Sequence, residues 1–286
     1  MTGGFSRAGL ALVALLGLVL FAACNLDTAT PTRTPRPTVG LLPRTTDTPV
    51  PVKPTAPPAQ LVPGTSVIIG GEARLRADPS TASAPSGSLY DGQSVRIVAT
   101  VKGENWLVGS QTWLSTIPDW TTDWYQLDGG GFVYSAFVFT LRPDEASPMR
   151  DAGGAEKWID VNLTNQTVSA MIGDQAIHIA LASTGSADFP TPKGSHSIEP
   201  DGRVSLVDMT ASQAGYAPQQ AQYNVDRVLF TQYFDRLGNA IHLNYWRPAD
   251  VYGNTPTSHG CVGLQLHDAQ YFWLFGAPGM RVEIHD

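Results

Sequence analysis

Apolar and polar residues alternate in short runs along most of the second half of the chain. Lys157-Trp158-Ile159-Asp160-Val161-Asn162-Leu163 alternates as a half-buried strand does. Thr164-Asn165-Gln166 turns it into a second run over 167–172, and Gly173-Asp174 turns that into a third. There Ile177, Ile179 and Leu181 alternate with His178 and Ala180, which completes a meander of hairpins. Further strands are predicted over 203–207, 227–230, 240–245 and 280–284. The one helical pattern spans 268–275, with Asp268 near its start and Gly276 just beyond its end. The predicted architecture is mostly β, as two packed sheets of mainly antiparallel strands with one short helix near the C-terminus.

A second set of short strands lies upstream, over 63–141. Ala73-Arg74-Leu75-Arg76 alternates, Asp91-Gly92 turns, and an apolar run over 94–101 follows. Trp106, Trp113, Trp120 and the Trp124-Tyr125 pair come next, and Gly129-Gly130-Gly131 opens the run from Phe132 to Val138. Strands this short, divided by glycine turns, suggest a small barrel. The order of the Leu-Arg, Pro-Ser, Trp and Gly-Phe-Val elements resembles the bacterial SH3-like family. That resemblance implies a module that often binds cell-wall peptide. Trp106 is expected in the core, whereas Trp113 and Trp120 sit in an insertion and could be core or surface. Pro143, Pro148 and Gly153-Gly154 mark a boundary before the last domain, 155–286.

The first 62 residues follow neither pattern. Arg7 precedes an apolar run from Ala8 to Ala23, short for a bilayer span and suited to an export signal over 1–23, with an ordinary signal peptide or an uncleaved anchor as the alternatives. Phe21-Ala22-Ala23-Cys24 resembles the lipobox of bacterial lipoproteins. This implies cleavage before Cys24, a lipid on its sulfur and a membrane anchor. The stretch 24–62 is rich in Thr and Pro, which excludes a packed core and favours an extended linker. In polyproline geometry it reaches roughly 100 Å.

Charge narrows the partners. Residues 1–62 hold five basic and two acidic side chains, leaving 13 basic against 23 acidic beyond them, a net of −10. Such a body repels phosphate backbones, so no nucleic-acid partner is expected. There are two cysteines, Cys24 and Cys261. A lipid on Cys24 leaves Cys261 without a disulfide partner, and a lone thiol in an exported protein points to chemistry.

That chemistry has a candidate base. His242 lies in the apolar run Ile241-His242-Leu243, nineteen positions before Cys261, and a polar loop lies between them. A thiol beside an imidazole is a nucleophile with its base. Gly260 permits close approach of a substrate to the backbone, and N–H groups around Gly260 and Cys261 could hold an oxyanion. His259 could support the thiolate, hold the loop, or bind metal with Cys261. No metal is expected, because zinc needs three or four ligands and no further cysteine exists. Ser258 reads as a local hydrogen-bonding residue. His178 and His196 are expected to line a face, and His267 and His285 to sit at surface or cap positions.

Ala182-Ser183-Thr184-Gly185, Thr191-Pro192-Lys193-Gly194, Ile241-His242 and Ser258-His259-Gly260-Cys261 occur in the order and spacing of the L,D-transpeptidase (YkuD-type) catalytic domain. The resemblance covers 155–286. It implies an exported, cofactor-independent enzyme in the cell envelope that acts on peptidoglycan stem peptides, monomeric, with Cys261 as nucleophile and His242 as base. It also implies that the Leu243 carbonyl orients the ring, that Tyr223 lies near the pocket and that Tyr216 flanks the donor site. Family members usually carry Arg or Asn two residues after the cysteine, where this chain has Gly263; the change bears on site geometry and donor recognition. The rival readings are a wall-binding lipoprotein with weak or no activity and an L,D-carboxypeptidase on the same fold. Papain-like and NlpC-type peptidases place cysteine before histidine, the reverse of the order here.

Overall fold

The computed structural model describes residues 61–109, 111, 114, 116–212 and 223–286. Cys24 and the linker to residue 60, Trp113 and Tyr216 lie outside them. The described residues form mostly strand, with one α-helix near the C-terminus.

The upstream body holds β1 (Ser66–Ile68), β2 (Glu72–Arg76), β3 (Pro85–Tyr90), β4 (Ser94–Val95), β5 (Ile97–Lys102), β6 (Asp123–Leu127), β7 (Phe132–Tyr134) and β8 (Val138–Thr140). One sheet has the order β4-β1-β8 and the other β3-β2-β7-β6-β5. Only Arg96 separates β4 from β5, and one 3-10 turn, Ser135–Phe137, separates β7 from β8. Two stretches of chain therefore bend from one sheet into the other, as corners of a small sandwich require. Ile68, Ala73, Leu89, Leu127, Val133 and Val138 fill the space between. Trp106 is half-buried, its ring 5.4 Å from that of Tyr134 and 5.7 Å from that of Phe137.

The downstream body holds β9 (Lys157–Asn162), β10 (Thr167–Ile172), β11 (Gln175–Ser183), β12 (Gly194–Ser197), β13 (Arg203–Thr210), β14 (Asn224–Tyr233), β15 (Ala240–Leu243), β16 (Val262–Leu264), helix α1 (Leu266–Phe275) and β17 (Arg281–His285). All nine strands belong to one sheet, in the order β12-β17-β9-β10-β11-β16-β15-β14-β13. The expected sandwich is formed by one continuous sheet that curls on itself. The link is the pairing of β11 with β16 through Ala182↔Leu264 and Ser183↔Gly263. Two neighbour pairs are parallel, β15 with β16 and β17 with β9.

The inward face of β11 differs from what its apolar residues suggest. Ala180 and Ala182 are buried, whereas Ile179 is 62% and Leu181 49% exposed. His178 points inward, its Nε2–H donating to Asp268 Oδ1 over 2.9 Å and its ring stacking on Tyr271 at 3.9 Å. The space under the helix admits small side chains and one hydrogen-bonded imidazole, which decides the register against the larger aliphatics.

Helix α1 starts two residues before the apolar pattern suggests, after Gln265, and ends at Gly276. Asp268 in its first turn complements the helix dipole. Ala269, Tyr271, Phe272, Trp273 and Phe275 are buried, and a side chain of that size contributes about 1.5–3 kcal/mol on burial. The helix also joins the two bodies. Gln270 Nε2 donates to the carbonyls of Ala136 (2.8 Å) and Val138 (3.1 Å), and Tyr271 donates to the Ala146 carbonyl at 2.8 Å. His267, expected at a surface or cap position, is instead largely enclosed. It sits 2.8 Å from both carboxylate oxygens of Glu145 and stacks on Phe139, and burial pushes its pKa down. His285 is exposed and reaches Asp160 at 3.0 Å.

One buried cluster runs from Phe139 and Leu141 of the upstream body to Ile241, Leu243 and Tyr271 of the downstream one. The upstream body also reaches the segment that follows the strand of His242. Gln111 Nε2 donates to the Tyr245 hydroxyl at 2.7 Å, and that hydroxyl donates to the Asp226 carbonyl at 2.7 Å. Between the bodies lies a cleft of about 890 Å³, lined by Trp120, Tyr125, Arg142, Arg247 and Asp268 among others; Cys261 and His242 are not part of its wall.

Candidate active site

The nineteen-residue separation of His242 and Cys261 follows from the parallel pairing of β15 and β16. Parallel neighbours need a crossover of a dozen or more residues. The polar segment between Leu243 and Val262 provides it, with one 3-10 turn at Ala249–Val251. The register is Ile241↔Val262, His242↔Gly263 and Leu243↔Leu264. Cys261 stands two residues before Gly263. It immediately precedes β16, at the end of that strand nearest the Ser258–Gly260 turn.

His242 is 3% exposed. Its Nδ1 is 2.8 Å from the Leu243 carbonyl oxygen. A carbonyl can only accept, so Nδ1 carries the proton and Nε2 has the lone pair. Burial lowers the imidazole pKa to about 4, and the Leu243 hydrogen bond offsets part of that shift. The ring is therefore neutral near pH 7. Trp246 stacks on it, with ring centres 5.6 Å apart and planes 14° apart.

Cys261 is partly exposed and is the one cysteine among the described residues. Its thiol points to the Gly238 carbonyl at 3.7 Å, in the connection between β14 and β15. The turn before it is held locally. Ser258 Oγ donates to the Cys261 carbonyl at 2.5 Å and accepts from the Gly260 N–H at 3.1 Å. The Gly260 N–H, expected as an oxyanion donor, is thus engaged with Ser258. Gly260 has φ +110°, a conformation that a side chain disfavours.

The Ser183-Thr184-Gly185 element braces this turn. Ser183 Oγ lies 2.8 Å from the Thr255 carbonyl and 2.9 Å from Thr257 Oγ1, and accepts from the Thr257 N–H at 3.2 Å. The Ser258 N–H donates to the Thr184 carbonyl at 3.0 Å. Thr184 is fixed in turn by both ends of the Gln166 amide, at 2.6 and 2.8 Å. Gly185 N–H donates to Thr191 Oγ1 at 2.8 Å, and a Cβ at 185 would collide with the backbone of Phe189 and Thr191. The Ser-Thr-Gly and Thr-Pro-Lys-Gly elements meet here.

His259 packs between Phe189 and Tyr223, with ring centres 4.5 and 4.8 Å away. Tyr223 is thereby placed two residues of chain from the nucleophile's position. Tyr216 lies outside the described residues. No group of three or more His, Cys, Asp or Glu side chains among the described residues is arranged to hold a metal ion.

Several participants had no assignment from sequence. Trp246 and Asn244 stand in the same run as His242 but have no motif spacing of their own. Gly238, Phe189 and Gln166 come from distant segments that only the fold brings in.

Among solved structures, an L,D-transpeptidase in complex with imipenem is 16% identical over 57% of this chain and 66% of its own, just under two thirds of its length, with a TM-score of 0.42. An L,D-transpeptidase from Mycobacterium smegmatis is 16% identical over 75% of this chain and 77% of its own, with a TM-score of 0.40. One from Enterococcus faecium is 17% identical over 51% and 52%, with a TM-score of 0.38. No curated protein sequence matches the chain. Residues 156–284, which carry every described residue of this site, match the family model of the YkuD L,D-transpeptidase catalytic domain.

Proposed function

We propose that the chain is a cysteine-dependent L,D-transpeptidase that cross-links or remodels peptidoglycan. The observation that carries this reading is the tautomer of His242. With Nδ1–H donated to Leu243, Nε2 is left as an acceptor, and the strand that Cys261 leads into pairs with the strand of His242.

His242 Nε2 takes the thiol proton as Sγ attacks the carbonyl of the third residue of a tetrapeptide stem, forming an S–C bond. The C–N bond to the terminal D-alanine then breaks, and the imidazolium returns its proton to the leaving amine. An amine of a second stem attacks the thioester, gives its proton to His242 and expels the thiolate. A neutral buried imidazole suits the base step, and the Leu243 carbonyl steadies the cation formed after it. The oxyanion draws on backbone N–H groups of the 258–261 turn, the Gly260 N–H exchanging Ser258 Oγ for the developing charge; one such donor is worth about 3 kcal/mol. His259, held by Phe189 and Tyr223, supports the loop rather than moving protons. Tyr216 and Gly263 lie toward the donor peptide in this reading.

The same proposal extends to the rest of the chain. Residues 63–141 are an SH3-like module, and 1–23 with Cys24 are a lipoprotein signal and anchor that hold the enzyme at the envelope facing the wall.

The test is to incubate the chain with a disaccharide tetrapeptide and analyse the products by mass spectrometry. Dimers linked between third residues support the transferase. Loss of D-alanine alone makes it a carboxypeptidase, and no turnover contradicts the enzyme reading.

A further inference from the structure

Gly263 is the lateral partner of His242 across the β15–β16 pair, so it leaves an open position beside the imidazole. That position is filled from the other strand. A Cβ at 263 would lie 2.5 Å from Asn244 Nδ2, 2.8 Å from its Cβ and 3.1 Å from its Cγ. The Asn244 carboxamide therefore occupies the volume in which a side chain at 263 would begin. Asn244 directly follows β15, two residues after His242, and its N–H still pairs with the Leu264 carbonyl of β16. The carboxamide thus stands over Gly263, the residue paired with His242 on the neighbouring strand.

Asn244 is held firmly by its backbone. Its N–H donates to the Leu264 carbonyl at 2.8 Å, and its carbonyl accepts from the Tyr252 hydroxyl. The residue is 3% exposed, yet its Oδ1 has no hydrogen-bond partner among the described residues. A buried, unpartnered amide oxygen is costly where packing alone is needed, since an aliphatic side chain would fill the same notch without that penalty.

We infer that Asn244 is a positioning residue for the thiol–imidazole pair: it supplies, from just beyond β15, the side chain that β16 lacks at Gly263, and so fixes the imidazole against Cys261. Trp246 closes one flat side of the His242 ring, and Asn244 closes the edge along the strand. Without the carboxamide the ring can swing toward the empty notch and lose alignment with the sulfur. A side chain at 263 has the converse defect, because it meets Asn244 in the same space. The two positions are thus reciprocal, and one of them at a time carries the amide.

This inference rests on the Cys261–His242 reading but needs no peptidoglycan turnover to test. The readout is the rate of Cys261 alkylation by iodoacetamide at pH 7, taken well below the lowest unfolding midpoint of the set. Asn244→Ala and Asn244→Gly are expected to slow it on the order of tenfold, the size of coupling between neighbouring side chains. Gly263→Asn alone is expected to slow it similarly. The double variant Asn244→Gly/Gly263→Asn, which moves the amide to the other strand, is expected to recover to within about threefold of the parent. Asn244→Ser, which retains a polar group, serves if the glycine variant does not fold. Asn244→Ala reacting at the parent rate, or a double variant no faster than either single one, overturns the inference. His242→Ala is the control: if it alkylates as fast as the parent, the pair itself fails, whereas a slow His242→Ala beside unaffected Asn244 variants removes only the role of Asn244.

Discussion

The imidazole Nδ1 of His242 donates to the carbonyl oxygen of Leu243, the next residue in the chain, at 2.8 Å. No third side chain is needed to set the tautomer, because the backbone of the same strand does it. The bond also lies where water does not compete, since Leu243 is fully buried.

Stability should fall in acid because of this residue. The folded pKa of His242 is lowered to about 4 by burial, against an ordinary value of 6.5. The folded state binds the proton more weakly, so the contribution is fully present above about pH 6.5 and is lost as pH falls toward 4. Its ceiling is on the order of 3 kcal/mol. Urea unfolding of the parent and of His242→Gln at pH 7 and pH 4.5 should show the larger loss in the parent. Equal losses would mean that the ring is not buried neutral.

If His242 is the base, as proposed, its removal should slow acylation without preventing folding. His242→Gln retains a donor for Leu243 but has no basic nitrogen to take a proton, and its acylation rate by a carbapenem should drop roughly 10²–10⁴-fold. Stopped-flow fluorescence measures it.

The brace at Ser183 should matter to both stability and rate. Ser183→Ala removes contacts to Thr255 and Thr257 and strands a backbone N–H beside the Cys261 turn. A cost of about 1–3 kcal/mol is expected, which for a body of this size is a fall of several degrees in Tm. Calorimetry reads the first effect and carbapenem acylation the second.

Tyr245→Phe tests the contact between the two bodies. The hydroxyl links Gln111 to the Asp226 carbonyl, and its loss should cost about 1–2 kcal/mol. The unfolding midpoint should drop while His242 keeps its tautomer, visible by imidazole NMR shifts.

The strands and the turn that carries Cys261 were legible because they depend on local pattern. β9, β10 and α1 follow from alternation and from Asp268 and Gly276, and the Ser258–Cys261 turn is a contiguous motif. The inward face of β11 was not legible. Alternation identifies two faces but not which one is covered, and His178 wins the inner side through Asp268 and Tyr271. The parallel pairing of β15 with β16 was likewise hidden, since register across a crossover is a property of the whole sheet. So was the place of Asn244, whose contact with Gly263 exists only in that register. His267 looked like a surface residue because its partner Glu145 belongs to the connection between the bodies.

The central claim is that Cys261 forms a thioester with a stem peptide. Intact-mass spectrometry of the chain mixed with a tetrapeptide stem, followed by peptide mapping, tests it most directly. The predicted result is a transient mass increase equal to the tripeptide acyl group, located on Cys261, with one D-alanine released per adduct and none in Cys261→Ala. An adduct on another residue, or D-alanine release that persists in Cys261→Ala, would contradict it.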